Sequence, residues 1–319
     1  MTIPSMNMQA LTYQGLPGYK SPQLRSVIRP VPGSGQVLIR VAASSLNPID
    51  WKLRSGVLGF LTPMVRLGAI PGFDFVGQVI ACGEDSMPFV VGDRVFGMLN
   101  FRTLGSLAEY LVADVADIAF AGDMLDDPTL AGLPLAGMTA LQSIRDLGQI
   151  HAGQKLLVIG ASGGVGHLAV QIGNALGARV TGITSTMNVD FVKGLGANEV
   201  VDYILGEGVK GRFDVIFDAV VSKPYSQWKE LLTAAGTYVS VLPSAELIIR
   251  SQTSRNSSGK KVRVIGVKPS RSDLEWLRDL AVNGRLNVNV DSNFGLAEGA
   301  TALLRSQTGR ARGKIIVSF

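Results

Sequence analysis

Along the first third of the chain the apolar positions fall in short runs bounded by Gly, Pro or Asp: Gln36 to Ala43, Phe75 to Ile80, and Gly92 to Gly97. Runs of this length between breakers predict strands, and their succession predicts a small barrel-like β domain. Gly105 to Val112 adds another strand, and the polar stretch from Asp123 to Asp127 marks a boundary. From Pro128 onward the pattern changes, and helical spacing alternates with short extended runs. Strands are expected at 155–159, 179–184, 199–202, 213–218, 237–241 and 262–267, with helices at 165–176, 189–195, 224–234 and 273–282. Such alternation predicts an α/β fold with a doubly wound parallel sheet. The polar stretch Ser251 to Lys260 predicts a mobile loop, and Gly313 to Val317 reads as a closing strand.

One junction in the second part stands out. Lys155-Leu156-Leu157-Val158-Ile159 leads through Gly160, Gly163, Gly164 and Gly166 into the helical run that stops at Gly177. A turn without Cβ atoms lets the backbone N–H groups of Ser162, Gly163, Gly164 and Val165 approach a pyrophosphate at a helix N-terminus. The first glycine of the G-x-G-x-x-G register is Ala161, so the turn alone is weak. Its place inside a β-α-β unit is what points to a dinucleotide.

Bulk properties narrow the field. At 319 residues, with 46% hydrophobic and 17% charged, the chain is long enough for two domains. No apolar run reaches membrane-span length, and Met1 to Asn7 lacks a basic segment followed by an apolar core, so a cytoplasmic location without membrane association is expected. The net charge of +5 is modest, and no dense basic run interleaves with aromatics. A nucleic-acid partner is therefore not expected, and an anionic small ligand accounts for the excess equally well. Cys82 is the sole cysteine, which excludes an intramolecular disulfide and any cysteine-rich zinc site. The two histidines, His151 and His167, read as surface or packing residues.

Several motifs coincide in order: Ser44-Ser45-Leu46-Asn47-Pro48-Ile49-Asp50-Trp51-Lys52, Pro71 to Gly77, Val91 to Gly97, Leu135 to Ala140, the glycine turn, and Arg310 to Ile316. Together they resemble the medium-chain dehydrogenase/reductase superfamily, in its zinc-free quinone oxidoreductase and enone (alkenal) reductase branch. The resemblance implies a GroES-like β-rich catalytic domain, residues 1–122 completed by 285–319, and a Rossmann domain over 123–284, with the active site in the cleft between them. Zinc enzymes of the superfamily carry a cysteine and a His-Glu pair where this chain has Ser44 to Asp50 and Phe73-Asp74, so no metal site is expected.

Without a Lewis acid the expected chemistry shifts from alcohol oxidation to hydride addition at an activated C=C bond, charge passing to a carbonyl oxygen as an enolate. The substrate is then a small apolar carbonyl or a quinone. An enoyl-thioester reductase and a non-catalytic NADPH-binding sensor remain the alternatives. About 20 positions past the turn, where an acidic residue would accept from ribose hydroxyls, stand Thr184, Ser185 and Thr186, which accommodate a 2′-phosphate and favour NADPH. The resemblance adds Asn188 and Tyr203 to that phosphate site, although Met187 stands where a basic residue is common, and dual cofactor use stays open. By the same resemblance Asn47 lies by the nicotinamide ribose and Thr139 reaches the cofactor from a helix start. Leu242 ends a strand on the cofactor side, and Lys314 belongs to the cofactor-binding set. Asn47, Asp50 and Lys52 are the catalytic candidates: Lys52 stabilises enolate charge or binds cofactor, and Asp50 orients it, with a surface ion pair as the plain alternative. Phe60 to Leu67 and Met98 to Phe101 read as substrate lining or, equally, as core or the surface of a homodimer.

Overall fold

A computed structural model describes residues 7–13, 22–55, 69–100, 103–254 and 259–319. The chain forms two compact units: Met1–Leu135 with Lys268–Val282 and Val288–Phe319, and Ala136–Val267 with Asn283–Asn287.

The first unit opens with an antiparallel pair, β1 (Asn7–Thr12) and β2 (Gln23–Ile28). Its main strands follow as β3 (Gln36–Leu46), β4 (Asp74–Cys82), β5 (Arg94–Met98), β6 (Tyr110–Asp114) and β7 (Ile118–Phe120). Alternate residues of β3, Val37, Ile39 and Val41, are buried against Phe75, Val79, Val95 and Leu111, as one core-facing side of a strand requires. The run from Gly105 becomes strand only at Tyr110. Before that, Gly105 and Ser106 donate to Gly72 O and Leu107 donates to Pro71 O, so the segment is bonded into a neighbouring loop.

The second unit supplies β8 (Lys155–Ile159), β9 (Arg179–Thr184), β10 (Glu199–Asp202), β11 (Phe213–Asp218), β12 (Leu232–Ser240) and β13 (Lys261–Val264). They form one parallel sheet in the order β10-β9-β8-β11-β12-β13. The order reverses between β8 and β11, and such a switch point leaves a crevice at the carboxyl ends of the strands. The helix expected over 224–234 is shorter, because Leu232 already pairs with Phe213 as strand. Part of the expected polar loop is ordered: Ser251, Gln252 and Thr253 complete the helix Ala245–Thr253, whose end is closed by the Thr253 and Ser254 hydroxyls on upstream carbonyls. Arg255 to Ser258 lie outside the described residues.

Two final strands, β14 (Val290–Gly295) and β15 (Lys314–Ser318), return to the first unit and complete the order β14-β15-β3-β4-β5-β7. The unit boundaries differ from the sequence-based division at 122/123 and 284/285. The helix Asp127–Gly132, capped by the Asp126 carboxylate, packs on β3 and β4. In the helix Arg271–Val282, Arg271 donates to Val115 O and Ile118 O and Arg278 donates to Phe120 O, which joins that helix to the first unit. Among the described residues no helix is long and apolar enough to cross a membrane.

Candidate cofactor and active site

The crevice of the second unit is built by the turn after β8. Gly160 sits at φ +81°, and a Cβ on Gly166 would lie 2.0 Å from Gly160 O, so the chain closes here only with glycine. The helix Gly166–Ala175 follows, and no side chain caps its start. The His167 N–H is bonded to Gly163 O at 3.0 Å, and the helix dipole favours an anion at this end. His167 is buried with Nδ1 2.9 Å from Gly163 O, a packing role inside the turn.

Beside the turn, Thr184 donates its hydroxyl to Ser162 Oγ at 2.9 Å, which ties the end of β9 to the glycine segment. Asn188 Nδ2 donates to Ser185 Oγ at 3.0 Å, and the Tyr203 N–H donates to Thr184 O at 3.1 Å, leaving the Tyr203 side chain half exposed. The parallel register of β8, β9 and β10 thus gathers Ser162, Gly163, Gly164, Val165, Thr184, Ser185, Asn188 and Tyr203 at one sheet edge. Met187 is 91% exposed beside them.

Two carboxylates at this edge carry no signal in the glycine motif. Asp202, ending β10, accepts from Ile204 N at 2.9 Å on Oδ1, and its Oδ2 is buried without a hydrogen-bond partner. Only the pairing of β10 with β9 brings it there. Asp218, ending β11, accepts from Val220 N (3.1 Å) and Val221 N (2.7 Å) on Oδ1 and from the Tyr238 hydroxyl (2.8 Å) on Oδ2. Burial and this neighbouring carboxylate push the Tyr238 hydroxyl pKa far up. Leu242 is held by the Ser240 hydroxyl, which donates to Leu242 O at 2.9 Å. Thr139 is buried in the helix Pro134–Leu141.

In the first unit, strand register assembles a second set. β3 sets Ser45 opposite Asp74 of β4, while β15 sets Ile315 opposite Leu46, one step from Lys314 and Asn47. Lys314 Nζ donates to Asn47 Oδ1 at 2.6 Å and lies 3.5 Å from Asp74 Oδ2, with both charged side chains at most 2% exposed. Asp74 Oδ2 also accepts from Ser45 Oγ and Asn47 Nδ2, each at 2.8 Å, and Oδ1 accepts from Leu135 N at 2.8 Å. Asp74 therefore anchors the cluster, and sequence reasoning gave it no role. The signal available was a carboxylate in the middle of an apolar run, at the start of a buried strand.

Asp50 stands in the same cluster, not with Lys52. Its Oδ2 accepts from Asn47 N at 2.7 Å, its backbone carbonyl accepts from the Tyr13 hydroxyl, and its Oδ1 is buried with no hydrogen-bond partner. Burial pushes the carboxyl up to about 7, the Asp74 charge adding to the rise while Asn47 N–H and Lys314 oppose it. Burial lowers the Lys314 pKa against the pull of Asp74 and Asp50. The expectation that Asp50 orients Lys52 is thus corrected: Pro48–Ser55 is a helix, and its first turn folds Asp50 back on Asn47. Lys52 instead lies 5.6 Å from the Trp51 ring centroid, its pKa lowered by burial. Met98 and Leu99 are buried, which makes them core, while Phe60 to Leu67 and Phe101 lie outside the described residues.

A glycine turn at the switch point of a doubly wound sheet, joined in one chain to a β-rich unit with a buried polar cluster, defines a nicotinamide-dependent oxidoreductase. Residues 33–121 match the alcohol dehydrogenase GroES-like domain and residues 195–317 match the zinc-binding dehydrogenase family. A chloroplastic quinone-oxidoreductase homolog of Spinacia oleracea is 33% identical over 97% of this chain and 98% of its own. A trans-enoyl reductase of Aspergillus terreus is 31% identical over 90% of this chain and 87% of its own. The solved quinone oxidoreductase from Coxiella burnetii superposes with a TM-score of 0.89 at 30% identity, covering 98% of this chain and 100% of that one. The chain belongs to the medium-chain dehydrogenase/reductase superfamily, among the homologues of the quinone oxidoreductases. It is accordingly an oxidoreductase that uses NAD(P)H.

Proposed function

We propose that the protein is a zinc-independent, NADPH-dependent reductase of α,β-unsaturated carbonyls or quinones. The observation that carries the reading is the state of Asp74. A zinc site needs at least three N, S or O ligands converging on the metal. Here both Asp74 oxygens already accept hydrogen bonds, and its neighbour Phe73 is a buried hydrocarbon. Among the described residues no cluster of three or more His, Cys, Asp or Glu side chains surrounds it. The residues do not fit zinc, so no step is assigned to one.

The second unit fits a dinucleotide. The N–H groups of Ser162, Gly164 and Val165 would hold the pyrophosphate, that of Gly163 closing the turn on Gly160 O at 3.1 Å, and a Cβ at Gly166 would collide with the turn that presents them. Ser185, Asn188 and Tyr203 would hold the 2′-phosphate, Thr184 bracing the ribose side through Ser162. Reduced nicotinamide supplies a hydride when bound. The chain's part is to orient donors at the oxygen that gains charge. Lys52 is the cation for that enolate oxygen, and partial burial lowers its pKa. Asn47, fixed at both ends by Lys314 and Asp74, presents an amide whose rotamer is set before any ligand arrives.

The test is NADPH oxidation with small enones, quinones and acyl thioesters, with and without a chelator. Turnover of enones or quinones that survives chelation supports the reading. Turnover of acyl thioesters alone replaces it with an enoyl-thioester reductase, and tight NADPH binding without any turnover replaces it with a sensor. NADH preferred tens of times over NADPH would overturn the role given to Ser185.

A further inference from the structure

We infer that Asp50 is a positioning residue for Asn47 and that it works as a neutral carboxylic acid. The inference rests on the reading above, in which Asn47 belongs to the working site. The buried cluster holds two carboxyl groups, Asp50 and Asp74, but one ammonium, Lys314. Lys314 gives its hydrogen bonds to Asn47 Oδ1 and Asp74 Oδ2, and Asp74 is further satisfied by Ser45, Asn47 and Leu135. Asp50 is left over: it accepts one N–H, from Asn47, and its other oxygen has no aligned donor.

An ionised carboxylate in that position would be a buried charge without a counterion, whereas the neutral acid still accepts the Asn47 N–H. The groups facing Asp50 divide, and burial outweighs those that favour its charge. Asp74 on β4 repels a second negative charge, whereas Asn47 N–H, Lys314 on β15 and, more weakly, Gly72 N–H favour it; the Tyr13 hydroxyl donates to the Asp50 backbone carbonyl. Ionisation would therefore draw Lys314 toward Asp50 and off Asn47 Oδ1, so that the amide loses one of its two anchors.

The sign of the pH effect follows. With the folded carboxyl at about 7 and its ordinary value at 3.8, the folded protein keeps a proton that the unfolded chain has lost between those limits. Stability from this group falls as pH rises across that window and levels off above it.

Asp50→Asn is the isosteric neutral variant. Thermal unfolding and NADPH binding are measured for both proteins at about pH 6 and about pH 8.5. The variant should bind NADPH like wild type at the lower pH and about tenfold more tightly at the upper pH, and it should melt higher than wild type at both, with the wider gap at the upper pH. Titration of the 2′-phosphate is common to both proteins and cancels in the ratio. Should the variant fold poorly, infrared difference spectra of wild type alone between the two pH values decide the matter, since a protonated-carboxyl band must be lost. Parallel pH curves, weaker binding by the variant at every pH, or absence of that band overturns the inference. Wild type that binds neither NADPH nor NADH overturns the functional reading instead, and the melting and infrared series still report the charge of Asp50.

Discussion

The two candidate sites of this chain are made in different ways. In the second unit the ligand-facing groups are largely backbone, presented within the segment Ser162 to Val165 and shaped by Gly166, whose replacement would collide with the main chain of Gly160. In the first unit they are side chains from distant segments, Ser45 to Asp50, Asp74 and Lys314, joined by the pairing of β3 with β4 and β15. A backbone site is fixed by what the chain lacks at each position. A side-chain site is fixed by register, so one slipped strand dismantles it.

That contrast orders the perturbations. Lys314→Met leaves two buried carboxyl groups with no cation and should destabilise by about 3–5 kcal/mol in denaturant unfolding. Less than 1 kcal/mol would show that the cluster is not held by charge. Gly166→Ala drives a methyl group to within 2.0 Å of Gly160 O, so a loss of about 1–3 kcal/mol with collapse of NADPH binding is expected in calorimetry. Full NADPH affinity in that variant would break the backbone account of the turn.

Smaller effects sharpen the comparison. Lys52→Ala should lower kcat by about tenfold to a hundredfold with little change in melting temperature, because the ammonium acts on developing charge and not on the fold. Unchanged turnover rejects its catalytic role. Met187→Arg places a guanidinium at the exposed edge beside Ser185 and should raise the NADPH-over-NADH preference about tenfold in kcat/KM. Val221 is a β-branched residue at φ +59°, beyond the end of β11. Val221→Gly should raise the melting temperature by about 2–4 °C without altering NADPH affinity.

Much of the second unit was legible before its structure. The strands at 155–159, 179–184, 199–202 and 213–218 coincide with β8 to β11, because each is a short apolar run bounded by turn-forming or helical segments. The end of the helix near Trp228 was not, since the preference of Leu232 to Ser240 for strand shows only in their pairing with β11. In the first unit β3, β4 and β5 were visible, whereas β1, β2 and β14 lack a clean alternation and show only in their pairing, β1 with β2 and β14 with β15. The site divides along the same line. Thr184, Ser185 and the glycine turn follow from spacing along the chain. Asp74, Asp202 and the true neighbour of Asp50 follow from contacts between strands or within a helical turn, which spacing does not report.

The central claim is that this chain moves hydride from NADPH to a conjugated acceptor without a metal. It is tested most directly by steady-state NADPH oxidation with a small enone and a small quinone, using protein exhaustively treated with chelator. Turnover equal to that of untreated protein, with NADPH used in preference to NADH, is the expected result. Activity abolished by the chelator and restored by zinc would contradict the account.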